Sequence, residues 1–536
     1  MSMSALAPRS IMPGRLSRSG VGLTAMQSLA LVTLVAAALR LAALGHAPLW
    51  GDEVATAAFA RLPWHDLLFG FGRLEPNPPG FYALEKLWTG VAGMSDLALR
   101  LPSALFGIGS VAAVWALTRS AMGLRAATWA GLLMAINGVH LEHSRDARTY
   151  ALLCLVTALA AIAARRIAVA EGVAWRSAGA LAALTGLMFW LHHTGAVAGA
   201  CVFVYGGVVA LHHRGALLRR CIVLGIAGLL GLVAGAPALL SILSIAGDAT
   251  NNASWIPVPD WFLAGLFMTT TWTSSYPALH AYGDYIALQG FGLGVLVIAV
   301  TVAMAARLLR QHADSAGLLA ASIAAIVLMT AISQRVPVMV EKTLLFSLVF
   351  FLPLLGAAIA ALPRAGAALL AGVVVVLQMP GLCMAYAPAR HGEDWPGLSA
   401  TLQPLVAETG WAVVVRSAFD GAALERYMPP ASPARPLVSI TPRIGAALNR
   451  VVASRMTGAV PVSEHASVAE LCAVLGNRRG VFLIDRRNPV LDTQRAPATA
   501  LLTAAGGHLE AEPMVGSLIL QRWPGVCASP GPATAP

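Results

Sequence analysis

Two adjacent carboxylates mark where this chain can do chemistry. Asp52 and Glu53, in Trp50-Gly51-Asp52-Glu53, follow an apolar stretch from Leu23 to Leu44 that only Arg40 interrupts. A carboxylate at a membrane exit can take a proton from an acceptor hydroxyl or amine while the bilayer delivers a lipid-borne donor. Asp52 is favoured over Glu53 as the general base; the plainer alternative is a solvated helix start. Glu75, Asn77 and Tyr82 lie in Leu74-Glu75-Pro76-Asn77-Pro78-Pro79-Gly80-Phe81-Tyr82, where paired prolines fix the start of a helix. Arg145, Arg148 and Tyr150 lie in His143-Ser144-Arg145-Asp146-Ala147-Arg148-Thr149-Tyr150. The two arginines are spaced by one helical turn, and their guanidinium forks suit a phosphate; an internal pair with Asp146 is the other reading. Arg335 and Lys342 flank the head of a late apolar run, either as phosphate ligands or as snorkelling charges.

The remaining polar motifs are plainer. His192-His193 reads as a pair of interface histidines, because too few partners can be named for a metal site. There is no glycine-rich phosphate loop and no Ser-His-Asp signature, so no cofactor is expected and a divalent metal has no support. Cys154, Cys201 and Cys221 fall in apolar runs. Cys472 and Cys527 lie in the tail and can form a disulfide if it is extracytoplasmic, although sequence does not set connectivity.

These groups must be held by membrane helices. Of the 536 residues 57% are hydrophobic and only 11% charged, against roughly 25% charged in soluble domains; mean hydropathy is +0.72. The net charge of +11 does not indicate nucleic acid, because the arginines fall in short clusters between apolar runs, as loops that orient a membrane protein do. A span needs about 20 mostly apolar residues. About eleven spans are expected, near 23–44, 98–118, 126–141, 149–164, 177–191, 195–211, 221–243, 287–305, 315–333, 343–361 and 366–384. The apolar stretch 78–93 is short and contains Glu85 and Lys86. Laying it on the surface puts the Arg-bearing loops 119–125, 165–176, 212–220 and 307–310 on the side of the N-terminal tail, 1–22. That choice rests on arginines alone, yet it brings every candidate motif to the opposite side. The outer loops are then 45–97 and 244–286. The second is rich in aromatics (Trp255, Trp261, Trp272, Tyr276, Tyr282 and Tyr285), as either an interfacial belt or a stacking wall.

Beyond the membrane domain, 23–384, hydropathy falls. β-like runs at Ala412–Val415, Val481–Ile484 and Leu518–Leu520, with a helix-like stretch at Ala466–Leu475, predict a small α/β domain over 385–525. Residues 526–536 read as a disordered tail.

Taken together, these motifs resemble the GT-C superfamily of polyprenyl-phosphate-sugar glycosyltransferases, and most closely the bacterial family 39 and aminoarabinose-transferase type. The likeness rests on Trp50-Gly51-Asp52-Glu53, on Asn77-Pro78-Pro79 with Phe81-Tyr82, on Leu99-Arg100-Leu101-Pro102-Ser103-Ala104-Leu105, on Ser144-Arg145 to Tyr150, and on His391-Gly392-Glu393-Asp394-Trp395 at the head of the tail domain. It is good over residues 23–165 and looser beyond. The resemblance implies a multi-pass inner-membrane enzyme with a cytoplasmic N-terminus and a periplasmic tail domain. It further implies a polyprenyl-phosphate-sugar donor, an extracytoplasmic acceptor, and Asp52 as base. The family often places His or Lys beside the paired prolines, where Asn77 stands. It usually continues Pro-Pro-Leu, where Gly80 stands, and often opens the late span with Arg-Tyr, near Glu341-Lys342. The rival reading is a transporter or flippase. It fits the many spans, but the candidate charges gather at one face rather than at mid-membrane, and no inverted repeat is visible.

Overall fold

The computed structural model describes residues 23–70, 77–213, 215–244, 256–275, 286–308, 313–389, 392–428, 437–441, 457–486 and 495–528. The expectations for 1–22, Glu75, Trp255, Tyr276, Tyr282, Tyr285, His391 and most of 526–536 fall outside them.

The first half runs through α1 (Ala25–Leu41), α2 (Gly51–Arg61), α3 (Gly80–Ala92), α4 (Asp96–Met122), α5 (Leu124–Ile136), α6 (Gly138–Ser144), α7 (Tyr150–Val169), α8 (Trp175–Leu191), α9 (Gly195–His212) and α10 (Leu217–Ser244). Among the described residues eight helical stretches are long and apolar enough to cross a bilayer: α4, α7, α9, α10 and, later, Phe291–Leu308, Ala313–Ser333, Glu341–Ala361 and Arg364–Ala385. The other three expected spans coincide with the shorter helices α1, α5 and α8, of 17, 13 and 17 residues. Within the expected outer loop 244–286, Asp260 caps a helix, Trp261–Thr273. Its Trp272 is buried, stacks on Phe351 at 4.3 Å and donates to Ser347 Oγ, so it packs the core rather than lining a wall.

The stretch 78–93 becomes α3, 13 residues long. At 1.5 Å per residue it is roughly 20 Å long, well short of a bilayer core of about 30 Å. Pro102 inside α4 cannot donate to the carbonyl of Ala98, and the Trp88 indole N–H of α3 takes up that acceptor at 2.8 Å. Helix α3 is thereby pinned to the span that follows it.

Buried arginines close helix ends. Arg40 donates to the carbonyls of Met134 and Ala135 in the last turn of α5, a favourable place for a cation. Close approach elsewhere relies on missing side chains: a Cβ on Gly138 of α6 would lie 2.6 Å from the Cα of Gly381.

The three β-like runs of the tail fall on strands of one six-stranded sheet, ordered β3-β2-β1-β4-β6-β5. The strands are β1 (Ala412–Val415), β2 (Leu437–Thr441), β3 (Val460–Ser463), β4 (Gly480–Arg486), β5 (Met514–Val515) and β6 (Leu518–Pro524). The first four pair in parallel, and β4–β6 and β5–β6 are antiparallel. Both faces of the sheet are covered. Ala412 and Val414 join a core with Leu471, Leu475 and Leu502, whereas Val413 and Val415 join Leu398, Leu402 and Leu424. This second core runs on into Leu49, Val54 and Ala57 of the first outer segment and Leu99 of α4, so the tail domain is seated on α2. Cys472 and Cys527 form a disulfide.

Candidate functional site

Helix α2 starts at Gly51, with Trp50 in an extended conformation before it, and carries Asp52 and Glu53 in its first turn. Carboxylates there complement the helix dipole. Successive helical residues point about 100° apart, so the two acids have different surroundings. Glu53 turns inward and is fully buried. The Arg100 fork holds it with Nε–Oε1 at 2.7 Å and Nη2–Oε2 at 2.5 Å, and the Ala147 N–H donates to Oε1 at 3.0 Å. Arg100 also donates to the carbonyls of Leu44, Ala47 and Pro48. The pair therefore ties the first outer segment to α4.

Asp52 points the other way and keeps about a third of its side chain exposed (36%). Its Oδ2 accepts from Lys342 Nζ at 3.2 Å and lies 3.9 Å from Arg148 Nη2. Burial by itself would raise the Asp52 carboxyl, but Lys342, Arg148 and Arg486 outweigh it and hold the carboxyl down to about 2. Lys342, in a 3₁₀ turn (Glu341–Ser347), lies over the rings of Trp50 and Tyr150 at 5.2 and 5.9 Å. Arg148 donates to Tyr82 Oη at 3.1 Å. Tyr150 packs between His143 and His192, with centroids at 5.2 and 5.4 Å, and Asp146 fixes His143 at 2.9 Å. His192 lies against His193 at 3.9 Å, and His193 Nδ1 meets Asn77 Oδ1 at 3.1 Å. Burial first, then the His193 ring and the cations Arg148 and Lys342, push His192 well down, and burial with Arg148 pushes His193 down to about 4, so both are neutral near pH 7.

Asp52, Arg148, Lys342, Tyr82, Tyr150 and Asn77 thus converge. Arg145 does not join them. Residues 145–148 form bends between α6 and α7 rather than a helical turn, so the two arginines diverge. The Arg145 guanidinium donates to the carbonyls of Leu39, Arg40, Ala42, Ala43 and Ala385 and lies over Tyr386, closing the end of α1. Arg335 is exposed in the turn after the helix Ala313–Ser333, away from this group, and Glu53 faces Arg100 instead. Sequence reasoning quoted Arg100 only within a motif, without a role, and read His192 and His193 as interface histidines. An arginine in an apolar span signals a buried acid, and that signal stood at Arg100. His192 and His193 carried no such signal beyond their place at a span end.

Behind the site, α3 buries Glu85 completely, and among the described residues neither of its carboxylate oxygens has a hydrogen-bond partner. Burial first, then the charge of Glu53, push it up to about 8. A carboxyl raised in the folded state is fully favourable to stability below its unfolded value and loses that contribution as pH rises through the folded one. Glu85→Gln is therefore expected to melt like the wild type at pH 4 and increasingly above it as pH rises to 9, as thermal unfolding in detergent would register; an equal difference at both pH values would contradict the buried acid.

Among the described residues no group of three His, Cys, Asp or Glu side chains is placed to hold a metal. A cavity of about 470 Å³ lined by Val54, Arg61, Asp96, Glu425 and Arg426 opens between α2 and the tail domain. Asp52 is not part of its lining.

Residues 76–241 match the family described as dolichyl-phosphate-mannose-protein mannosyltransferase. No curated protein matches the chain by sequence. Among solved structures, the chain is similar to ArnT from Cupriavidus metallidurans in the apo state, at 15% identity and a TM-score of 0.57, over 95% of this chain and 100% of that one. The same protein bound to undecaprenyl phosphate aligns at 14% identity and a TM-score of 0.55, over 94% and 99% of the two chains. The chain therefore shares the fold of that structure: a polytopic helical membrane domain followed by a sheet-containing tail domain.

Proposed function

We propose that the protein is a membrane glycosyltransferase. It moves a sugar from a polyprenyl-phosphate donor to an acceptor at the extracytoplasmic face of the inner membrane. The three shorter helices are further crossings, the N-terminus is cytoplasmic and the tail domain is extracytoplasmic. The observation that carries the reading is the Asp52 carboxylate, held by Lys342 and Arg148 and still about a third exposed (36%) to an incoming group. A lipid-linked sugar phosphate supplies both an anion that the same cations can bind and an electrophilic carbon. The family match and the solved relative with undecaprenyl phosphate support the same donor class.

Transfer then runs as a displacement. The acceptor oxygen or nitrogen attacks the anomeric carbon, the bond from that carbon to the phosphate oxygen breaks, and the acceptor proton passes to Asp52. The carrier leaves as a phosphate monoester with more negative charge than the diester, and Arg148 and Lys342 neutralise it without a proton. Attack from the face opposite the phosphate inverts the anomeric centre. In the resting site the cations make Asp52 a weak base. A donor phosphate draws on the same cations, so its arrival restores basicity where the proton must go. Tyr82, Tyr150 and Asn77, with His192 and His193, form the neutral wall available to the sugar. Arg145, Arg335 and Glu53 have no part in this scheme.

Lys342→Met removes one charge-assisted contact to phosphate, worth about 1.5–3 kcal/mol. The KM for the donor should rise about 10- to 100-fold, and the acid limb of kcat/KM should move upward toward the ordinary carboxylate range of about 4. An unchanged KM would remove Lys342 from donor binding. The function itself is tested by mass spectrometry of membrane lipids and envelope polymers after loss of the gene. A lipid-linked sugar should accumulate and one envelope molecule should lose that sugar; unchanged profiles would refute the reading.

A further inference from the structure

The start of α2 is held from above by the tail domain, 342 residues further along the chain at Glu393. Glu393 Oε2 accepts from the Gly51 N–H at 2.9 Å and from the Trp395 indole at 2.9 Å. The first N–H groups of a helix have no partner inside it, and a carboxylate there both satisfies one and complements the dipole. Arg486, at the end of β4, donates to Glu393 Oε1 at 2.7 Å and, through Nε, to Asp420 Oδ1 at 2.8 Å. Asp420 is itself fixed by Ser417, Oγ to Oδ2 at 2.9 Å. The guanidinium lies on Gly51: a Cβ there would stand 2.6 Å from Nη1 and 2.7 Å from Nη2. The residue before Asp52 thus leaves room for a cation supplied by a strand of another domain. The apolar seat beneath, with Leu49, Val54 and Ala57 sharing one core with Leu398 and Leu424, keeps the two domains in register.

We infer that Arg486 is a positioning residue for the transfer step: the tail domain, through Glu393, Arg486 and Asp420, fixes the first turn of α2 and so sets where the Asp52 carboxylate points. The inference rests on the reading of Asp52 as general base. It makes the tail domain part of the membrane active site and not only a docking platform. The charged groups facing Asp52 are then Lys342 from the 3₁₀ turn, Arg148 from the turn before α7 and Arg486 from β4; Glu393 and Asp420 face Arg486 from behind.

The test uses the full-length protein in liposomes. The donor is the lipid-linked sugar fraction extracted from cells lacking the gene, the acceptor is supplied by membranes of the same cells, and binding is read separately with undecaprenyl phosphate. Gly51→Ala keeps every charge, sits at a helical position that Ala favours, and pushes the Arg486 guanidinium aside. It should lower kcat about 10- to 100-fold, the scale of a 1 Å misplacement, with KM for the donor and binding of undecaprenyl phosphate within about twofold of wild type. Arg486→Gln should lower kcat at least as far and move the acid limb of kcat to higher pH, because a cation facing Asp52 is lost; Arg486→Lys should restore part of both. If Arg486→Gln does not fold, Gly51→Ala and Arg486→Lys decide. Gly51→Ala with wild-type kcat and pH profile overturns the inference, as does a loss that tracks melting temperature alone. Should Asp52→Asn abolish transfer in the same assay, the base reading survives that failure; should Asp52→Asn transfer normally, the base reading itself is at fault.

Discussion

Asp52→Asn should stop sugar transfer while the protein stays folded and still binds polyprenyl phosphate. The amide has the shape of the carboxylate but cannot take a proton, and loss of a positioned general base costs about 10²- to 10⁴-fold in rate. The substitution also removes the negative charge that Lys342 and Arg148 share in the resting site. Those cations then meet the carrier phosphate without competition from Asp52, so affinity for polyprenyl phosphate should hold or tighten. This pairing of lost turnover with retained binding separates a chemical role from misfolding. Calorimetry with free undecaprenyl phosphate and a transfer assay on the same sample provide the check. Turnover within threefold of wild type would take Asp52 out of the mechanism.

Breaking the pair behind it should unfold the protein instead. Glu53 and Arg100 are 0% and 1% exposed, and removing one member of a buried pair leaves an uncompensated charge at a cost of about 3–5 kcal/mol. Arg100→Leu additionally orphans the carbonyls of Leu44, Ala47 and Pro48. Its melting temperature should therefore fall further than that of Glu53→Gln, which retains acceptor oxygen for the guanidinium. Thermal unfolding in detergent ranks the two. If both melt with the wild type, the pair is not what ties the first outer segment to α4. Adjacent acids in one helical turn thus answer to different assays, Asp52 to turnover and Glu53 to stability.

How much of this could be read beforehand follows from what the residues had to do. Charges at the ends of apolar runs stand out because they are costly there, so Asp52, Arg148 and Lys342 were recognisable as a set although 290 residues separate Asp52 from Lys342. The arginine clusters were the reason to lay 78–93 on the surface, and the helix that forms there, α3, has 13 residues, fewer than a span needs. Which of Arg145 and Arg148 faces the site was not legible. A spacing of three implies one face only if the segment is helical, and residues 145–148 bend instead. Asp52 and Glu53 posed the same difficulty, because which of two neighbours turns inward depends on where Arg100 stands. The β-like runs of the tail were visible from their β-branched residues, but nothing local in Arg486 points to Gly51. That contact exists only once β4 is paired in the sheet and the sheet is seated on α2.

The central claim is that this membrane domain breaks the bond between a sugar and a lipid phosphate. The most direct measurement follows the lipid itself: purified protein in liposomes, given the lipid-linked sugar fraction and acceptor membranes, with free polyprenyl phosphate quantified by mass spectrometry. Wild-type protein should release polyprenyl phosphate in step with sugar appearing on the acceptor, and Asp52→Asn should release none. Donor that remains intact while it moves from one leaflet to the other would contradict sugar transfer and favour a flippase.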